Sequence, residues 1–329
     1  MKKYILILFI YIISFVACLF IGRIGISELI MYFKENNESL EVILWDLRLP
    51  RLIAASIIGA SLAISGALFQ GVFQNPLVSP NILGVSSGAA FGAVVFILLG
   101  APLIAVQFGS FVFGLVAVCL AYALGHFSNS NSKLMLILAG IVIGALFDAL
   151  ISIVKYVADT DEVLPNIIYW LLGSLSSISW DNLMILVPIN LFGIIILCAL
   201  SWKVNILALS KEQASFLGLG KSVNIICILL ATLISANSIS MCGIIGWIGL
   251  LIPHISRMIF GANYAKVLPS SAFLGAIFLM YCDTISRSLN HTQIPLSIIT
   301  ALFGAPLIMI IMLKGAKNGF ERWEFKFWL

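Results

Sequence analysis

Long apolar stretches separated by short polar segments dominate the sequence. Ten of them approach or reach the length of about 20 residues that an α-helix needs to cross a bilayer core. They cover residues 4–22, 52–70, 82–101, 103–125, 134–157, 183–201, 223–242, 244–260, 270–288 and 295–313. The limits between the third and fourth (Ala101-Pro102) and between the seventh and eighth (Met241-Cys242-Gly243) are approximate. The pattern predicts an all-α integral membrane protein of about ten transmembrane helices, in a single domain over 1–329.

Composition supports the same class. Apolar residues make up 61% of the chain and charged residues only 10%, whereas soluble proteins have about 25% charged residues. The net charge of +4 does not indicate a nucleic-acid partner, because the cations are scattered between apolar runs. The six cysteines lie in apolar runs without a CxxC pair, and the three histidines are far apart. Neither a metal site nor a cofactor site is predicted.

The distribution of lysine and arginine predicts the orientation. An even number of spans puts both termini on one side, and the loops then divide these cations twelve to six in favour of that side. Cytoplasmic loops carry the excess of positive charge, so both termini are predicted to be cytoplasmic. Arg48 and Arg51, in "DLRLPRLIAAS", then face outward against the general bias.

The segment 158–182 is predicted to lie outside. Its apolar run, "LPNIIYWLLGSLSSISWD", is too short to span and is interrupted by Gly173 and four serines. An interfacial helix over about 164–180, anchored by Tyr169, Trp170 and Trp180, is the structure we expect.

The segment 202–222, "WKVNILALSKEQASFLGLGKS", is predicted to lie inside. Ser210 and Gln213 have the spacing of a capping box, and Gly218 and Gly220 are suited to ending a short helix. An amphipathic helix followed by a glycine turn is suited either to docking on a cytoplasmic partner or to resting on the membrane surface. The residues alone favour neither.

A third irregular segment, "FQNPLVSPNILG", interrupts the chain between the second and third spans. It is either a simple cytoplasmic turn or part of a gate, because irregular backbone at membrane depth must line a cavity or be buried in protein.

Candidate chemistry inside the spans is sparse. Asp148 is the one acidic residue near the middle of a span, and no carboxylate pair, Ser/Lys dyad or HExxH helix accompanies it. It is expected to hydrogen-bond a neighbouring helix, with a proton relay as the alternative. The sequence contains no G-x-x-x-x-G-K-[ST] loop for ATP. The chain is therefore not expected to bind ATP in that way itself. Together with the resemblance described next, this indicates a transport subunit without its own ATPase site, with a channel or ion-coupled secondary transporter as the alternative from a different class.

Three long motifs identify a family. "RLPRLIAASIIGASLAISGALFQGVFQNPLVSPNILGVSSGAAFGA", "GIIGWIGLLIPHISRMIFG" and "IPLSIITALFGAPLIMIIMLK" resemble, in the same order, the signatures of bacterial ABC importer permeases for iron–siderophore complexes, haem and vitamin B12. The resemblance extends over nearly the whole chain. It implies a multi-pass protein of the bacterial cytoplasmic (inner) membrane.

The resemblance also implies partners. Two permease subunits, identical or paralogous, would work with two cytoplasmic ABC ATPase subunits and an external substrate-binding protein. Selectivity in this family lies mostly in the binding protein, so the substrate stays open. A ferric siderophore is expected, with haem, cobalamin and molybdate as alternatives.

Functional residues follow from the same resemblance. Arg48, Arg51 and Arg287 are expected to pair with glutamates of the binding protein, each arginine offering a planar fork for a carboxylate. The alternative is that they satisfy lipid headgroups or local acids such as Asp46 and Asp283. Asn75 and Leu77 are expected to form a cytoplasmic gate, whereas a second gate segment near Lys133 and Leu134 is more apolar than the family pattern. Contact with the ATPase is assigned to Ser210, Lys211, Glu212, Phe216, Leu217, Gly218 and Gly220.

Overall fold

The computed structural model describes residues 2–22, 42–127, 133–209, 213, 217, 221–289 and 293–317. These residues form twelve α-helices and one π-helical turn, and they contain no β-strand. The prediction of an all-α membrane protein is confirmed.

The helices are numbered here in chain order. They are α1 (Lys2–Phe20), a π-helical turn (Val42–Arg48), α2 (Leu49–Phe73), α3 (Val85–Leu98), α4 (Leu103–Phe127), α5 (Lys133–Val157), α6 (Val163–Leu172), α7 (Trp180–Ala199), α8 (Ser201–Leu207), α9 (Lys221–Cys242), α10 (Ile248–Phe260), α11 (Tyr264–Ser288) and α12 (Leu296–Lys317).

Each of the ten predicted spans coincides with one helix. Seven described helices are long and apolar enough to cross a membrane by length and composition. The helical parts of the third and eighth spans, α3 and α10, have only 14 and 13 residues. At 1.5 Å per residue each is about 20 Å long, so each needs non-helical chain to complete a crossing.

The segment predicted as an interfacial helix is shorter than expected. Helix α6 ends at Leu172 because Gly173 adopts φ +73°, a conformation that favours glycine. Trp180 belongs instead to the first turn of α7, where its Nε1 donates to the carbonyl oxygen of Trp45 at 3.1 Å.

Helix α2 lies at the centre of the bundle, with nearly all its residues buried. It packs against α11, α9, α10 and α7. Its glycines make this possible, because small residues let helix backbones approach closely in lipid. A Cβ atom on Gly59 would lie 2.3 Å from the carbonyl oxygen of Gly275 in α11, and one on Gly66 would lie 1.9 Å from that of Gly249 in α10.

Helices α3 and α4 form a second close pair. A Cβ atom on Gly92 would lie 2.2 Å from the carbonyl oxygen of Gly109, and one on Gly88 would lie 2.6 Å from that of Phe113. Polar side chains add a connection between α7 and α9: Asn190 donates to Ser238 at 2.9 Å and accepts from Asn237 at 3.0 Å. Such interhelical hydrogen bonds contribute about 0.6–2 kcal/mol each in membranes.

The helices place the residues of the predicted cytoplasmic and external sides at opposite ends of the bundle. At one end, here the loop end, Lys3 reaches the carbonyl of Ile259 and Lys133 that of Leu207. At the other, here the arginine end, Arg48 reaches the carbonyl of Leu19. Lys3 and Lys133, which the sequence assigns to the cytoplasmic side, thus lie at the loop end, and the orientation of the bundle in the membrane stays a prediction.

Close backbone contact at Gly66 predicts a sharp response to one methyl group. Gly66→Ala should lower the unfolding temperature of the detergent-solubilised protein, because α2 and α10 must separate; we expect a loss of about 1–3 kcal/mol. Gly144→Ala is the matched control, because its Cβ atom would meet nothing closer than 3.7 Å. Equal stability of the two variants would contradict the close crossing of α2 and α10.

Candidate functional site

Three arginines that are far apart in the sequence meet at the arginine end. Arg48 closes the π-helical turn, Arg51 lies in the first turn of α2, and Arg287 lies in the last turn of α11. All three are buried, with 7%, 8% and 9% of their surface exposed.

Asp283 links two of these arginines. Arg51 Nε donates to Asp283 Oδ1 at 2.8 Å and to Oδ2 at 3.0 Å, and its Nη2 lies 2.7 Å from Oδ1. Arg287 Nε lies 3.8 Å from Asp283 Oδ2, one helical turn along α11. Asp283 itself is only 1% exposed. A carboxylate at this depth requires a partner, and a double contact with a guanidinium is the strongest arrangement available.

The remaining donors of the cluster tie other segments to it. Arg48 Nη1 donates to the carbonyls of Leu19 and Phe20 at 3.1 and 3.2 Å, and Arg287 donates to that of Cys18. These carbonyls end α1, where helix geometry leaves them without intrahelical partners and where a cation is favoured. Arg51 Nη1 also donates to Gln293 Oε1 at 2.8 Å. The cluster therefore joins α1, α2, α11 and the segment before α12.

The sequence named both Asp46 and Asp283 as local acids for the arginines. Asp283 fills that role, whereas Asp46 is exposed and forms no ion pair with another described residue. The contributions of Gln293 and of the α1 carbonyls were missed, because these contacts depend on tertiary packing and join residues between 28 and 269 positions apart. Pairing with glutamates of a binding protein remains a prediction.

The predicted gate segment begins where α2 ends. Gln74 adopts a left-handed conformation with φ 54° and ends the helix. The side chain of Asn75 then accepts a hydrogen bond from the amide of Leu77 at 2.9 Å, which closes a tight turn. Leu77 is 54% exposed, so this turn presents an apolar side chain at the surface of the loop end.

After this turn the chain passes back into the bundle before α3 begins. Val78 and Leu83 are buried, and Pro80 would lie 3.1 Å from a Cβ atom on Gly249. The segment also contacts α5, since a Cβ atom on Gly140 would lie 2.7 Å from the carbonyl of Ile82. Apart from the exposed Asn81, its irregular backbone thus packs against protein, as required where lipid cannot satisfy it. Because this segment is not helical, α3 begins only at Val85 and has 14 residues.

The residues that follow helix α8 are hydrogen-bonded to Gln74, where α2 ends and this turn begins. Gln74 Nε2 donates to the carbonyl of Ala208 at 3.0 Å and also to that of Leu209. Lys133, which begins α5, donates to the carbonyl of Leu207 at 3.0 Å. Ala208 and Leu209, which directly precede the residues assigned to ATPase contact, are therefore bonded to Gln74, which precedes the predicted gate.

Most residues assigned to ATPase contact lie outside the described part of the chain. Ser210, Lys211, Glu212, Phe216, Gly218 and Gly220 belong to this group. Of the assigned set the structure describes Leu217, which is 58% exposed and whose amide donates to the carbonyl of Gln213 at 3.2 Å.

A second buried polar contact at the loop end was also missed. Gln70 is fully buried, donates to the carbonyl of Gly249 at 3.3 Å and accepts from Arg257. The sequence has no signal for this contact, because the two residues lie 187 positions apart and no spacing rule connects positions on α2 and α10.

Removing the charge of Asp283 tests the arginine cluster. Asp283→Asn should lower stability by about 3–5 kcal/mol, because it leaves a buried guanidinium without its counter-charge. Asp46→Asn, an exposed acid at the same end, should be neutral. Thermal unfolding in detergent compares the two, and similar unfolding temperatures would show that Arg51 does not depend on Asp283.

Comparisons with known proteins agree with this architecture. Residues 6–314 match the FecCD transport family. The chain is 40% identical over 278 residues to the "Molybdate import system permease protein MolB" of Haemophilus influenzae, which covers 84% of this chain and 82% of that protein. It is 38% identical over 289 residues, 86% of each chain, to the "Probable iron chelatin transport system permease protein" of Helicobacter pylori strain 26695.

A solved structure has the same fold. It is described as "An inward-facing conformation of a putative metal-chelate type ABC transporter" and is 38% identical to this chain. The match covers 95% of this chain and 99% of the solved one, with a TM-score of 0.88. A match over most of the sequence, together with that fold, shows that the chain belongs to the FecCD transport family and is a multi-pass inner-membrane permease of the ABC importer class.

Proposed function

We propose that this permease passes an iron chelate, of the ferric siderophore type, into the cytoplasm. The observation that supports this substrate most directly is the similarity to a transporter of the metal-chelate type across 95% of the chain. The relative from Helicobacter pylori supports the same class through its name. Molybdate is the second candidate, favoured by the 40% identity to the permease of Haemophilus influenzae.

The proposed assembly follows the family. Two permease subunits enclose the pathway, two ATPase subunits bind at the loop end, and a binding protein delivers the chelate at the arginine end. Leu217, which is 58% exposed, is suited to the ATPase contact. The bonds from Gln74 to Ala208 and Leu209 support a path from that contact to Asn75 and Leu77, which we assign to the gate.

Docking of the binding protein is assigned to the arginine cluster. We expect the cluster to act through its charge, and not through a free guanidinium edge of Arg51. The fork of Arg51 is occupied by Asp283 and Gln293, so it does not present a free edge to a partner in this conformation. Arg51 and Arg287 together nevertheless exceed the charge of Asp283 by one. The surplus gives the cluster itself a local positive charge that can attract an acidic group of the binding protein.

Reconstituted transport tests the proposed function. In proteoliposomes that contain the permease and its ATPase, a radiolabelled ferric siderophore should enter only when ATP is inside the cytoplasmic compartment and the binding protein is outside. Labelled molybdate in the same vesicles is the comparison. Uptake that continues without the ATPase and stops when an ion gradient is dissipated would contradict an ATP-driven importer.

Charge substitution at Arg48 tests docking. Arg48→Gln should weaken binding of the partner protein about tenfold and reduce its dependence on salt, because one positive charge is lost. Arg48→Lys keeps the charge and should retain most of the affinity. Affinity is measured in lipid nanodiscs at two salt concentrations. Unchanged affinity and salt dependence in Arg48→Gln would leave these arginines with a purely structural role.

A further inference from the structure

Asp148 occupies an unusual position within the membrane part of the protein. It is the only charged residue of α5 between Lys133 and Lys155. At 1.5 Å per residue it lies about 22 Å along the helix from Lys133 and about 10 Å from Lys155. The hydrocarbon core is about 30 Å thick, so the carboxylate lies at membrane depth.

The structure exposes this side chain on the surface of the chain. The buried face of α5 includes Gly140, Gly144, Phe147 and Ile151, and Asp148 lies outside it. Within the described residues the carboxylate has no hydrogen bond or ion pair, since the contact with Ser152 at 2.9 Å uses the backbone oxygen of Asp148. The expected hydrogen bond to a neighbouring helix is therefore not observed within the described part of this chain.

The exposed face continues as a polar stripe toward the arginine end. Ser152 and Tyr156 follow Asp148 at intervals of four residues, which places all three on one side of the helix. Tyr156 is 90% exposed. Toward the loop end the same face becomes apolar, with Ile141 50% exposed and Leu134 63% exposed.

An exposed carboxylate at this depth is incompatible with contact to lipid tails. Ionisable side chains within membrane helices face the interior of an assembly or a water-filled cavity, because exposure to lipid is unfavourable. No hydrogen bond or ion pair from the carboxylate to another helix of this chain is observed among the described residues. The stripe of Asp148, Ser152 and Tyr156 must therefore border water or another subunit.

We propose that this polar stripe is this chain's part of the wall of an aqueous pathway at the boundary with the second permease subunit, and that Asp148 selects against anionic cargo. The inference rests on the proposed function in one respect, namely that a pathway passes along the chain. It narrows the substrate class, because a fixed negative charge favours neutral or cationic metal chelates over an oxyanion such as molybdate.

The size of the selection can be stated from Coulomb's law. We consider a monovalent solute about 8 Å from the carboxylate of Asp148, with an effective dielectric constant between about 40 and 80. The charge of Asp148 then changes the local concentration of that solute about twofold to sixfold. The direction is opposite for cations and anions. The ratio of cation to anion should therefore change about fivefold to thirtyfold when Asp148 is neutralised.

Thiol labelling measures this ratio without any cargo. Ser152→Cys is prepared with the exposed Cys119 and the partly exposed Cys198 changed to serine, while the four buried cysteines are kept. The permease is reconstituted with its ATPase and treated with a cationic trimethylammonium or an anionic sulfonate methanethiosulfonate. Both reagents should react, and the ratio of their rates should favour the cationic reagent fivefold to thirtyfold more than with Asp148→Asn. High salt should lower the preference of the Asp148 protein in the same way.

The control is a cysteine on a surface that faces lipid. Ile13, near the middle of α1, is 50% exposed, and Ile13→Cys should react far more slowly with either reagent. If Ser152→Cys is as unreactive as Ile13→Cys, the stripe does not border water and the proposal fails. If it reacts but neither Asp148→Asn nor high salt changes the ratio, Asp148 does not set the potential. Because no substrate is used, these outcomes are independent of whether iron chelates are transported.

Discussion

The crossing of α2 and α11 at Gly59 and Gly275 determines the geometry of the rest of the molecule. The two helices run in opposite directions, and a Cβ atom on either glycine would lie 2.3 Å from the other's carbonyl oxygen. Arg51 lies eight residues before Gly59, and Asp283 lies eight residues after Gly275. Equal offsets on antiparallel helices bring the two side chains to the same height, about 12 Å from the crossing. The ion pair at the arginine end is thus a consequence of close backbone contact.

The arginine cluster combines two requirements that are usually separate. Its guanidinium groups satisfy the carbonyls at the end of α1 and one buried carboxylate, which holds three helices together. The same groups retain more positive charge than Asp283 offsets. A site of this kind can contribute to stability and also to recognition, because recognition through a field does not require a free guanidinium edge.

Much of the fold could be predicted from the sequence, because apolar length alone predicts membrane helices. The limits of α3 and α10 could not be predicted from the sequence. The apolar runs at 82–101 and 244–260 continue through residues that are not helical, and only the structure shows Pro80 against α10 and Trp247 with φ 71°. Asp283 was a candidate partner for Arg287 from its spacing of four residues, whereas its contact with Arg51, 232 positions away, depends on tertiary packing. The exposure of Asp148 likewise depends on which face of α5 the other helices cover.

The same crossing divides α2 into two arms of unequal length. Its fulcrum at Gly59 lies about 12 Å from Arg51 but about 22 Å from Gln74, given 1.5 Å per residue. A rigid rocking motion about that point would move the Gln74 end almost twice as far as the Arg51 end, and in the opposite direction. Gln74 holds the carbonyls of Ala208 and Leu209. A displacement of about 1 Å at the arginine cluster would therefore correspond to a displacement of about 2 Å at α8, because Gly59 lies nearer to Arg51 than to Gln74.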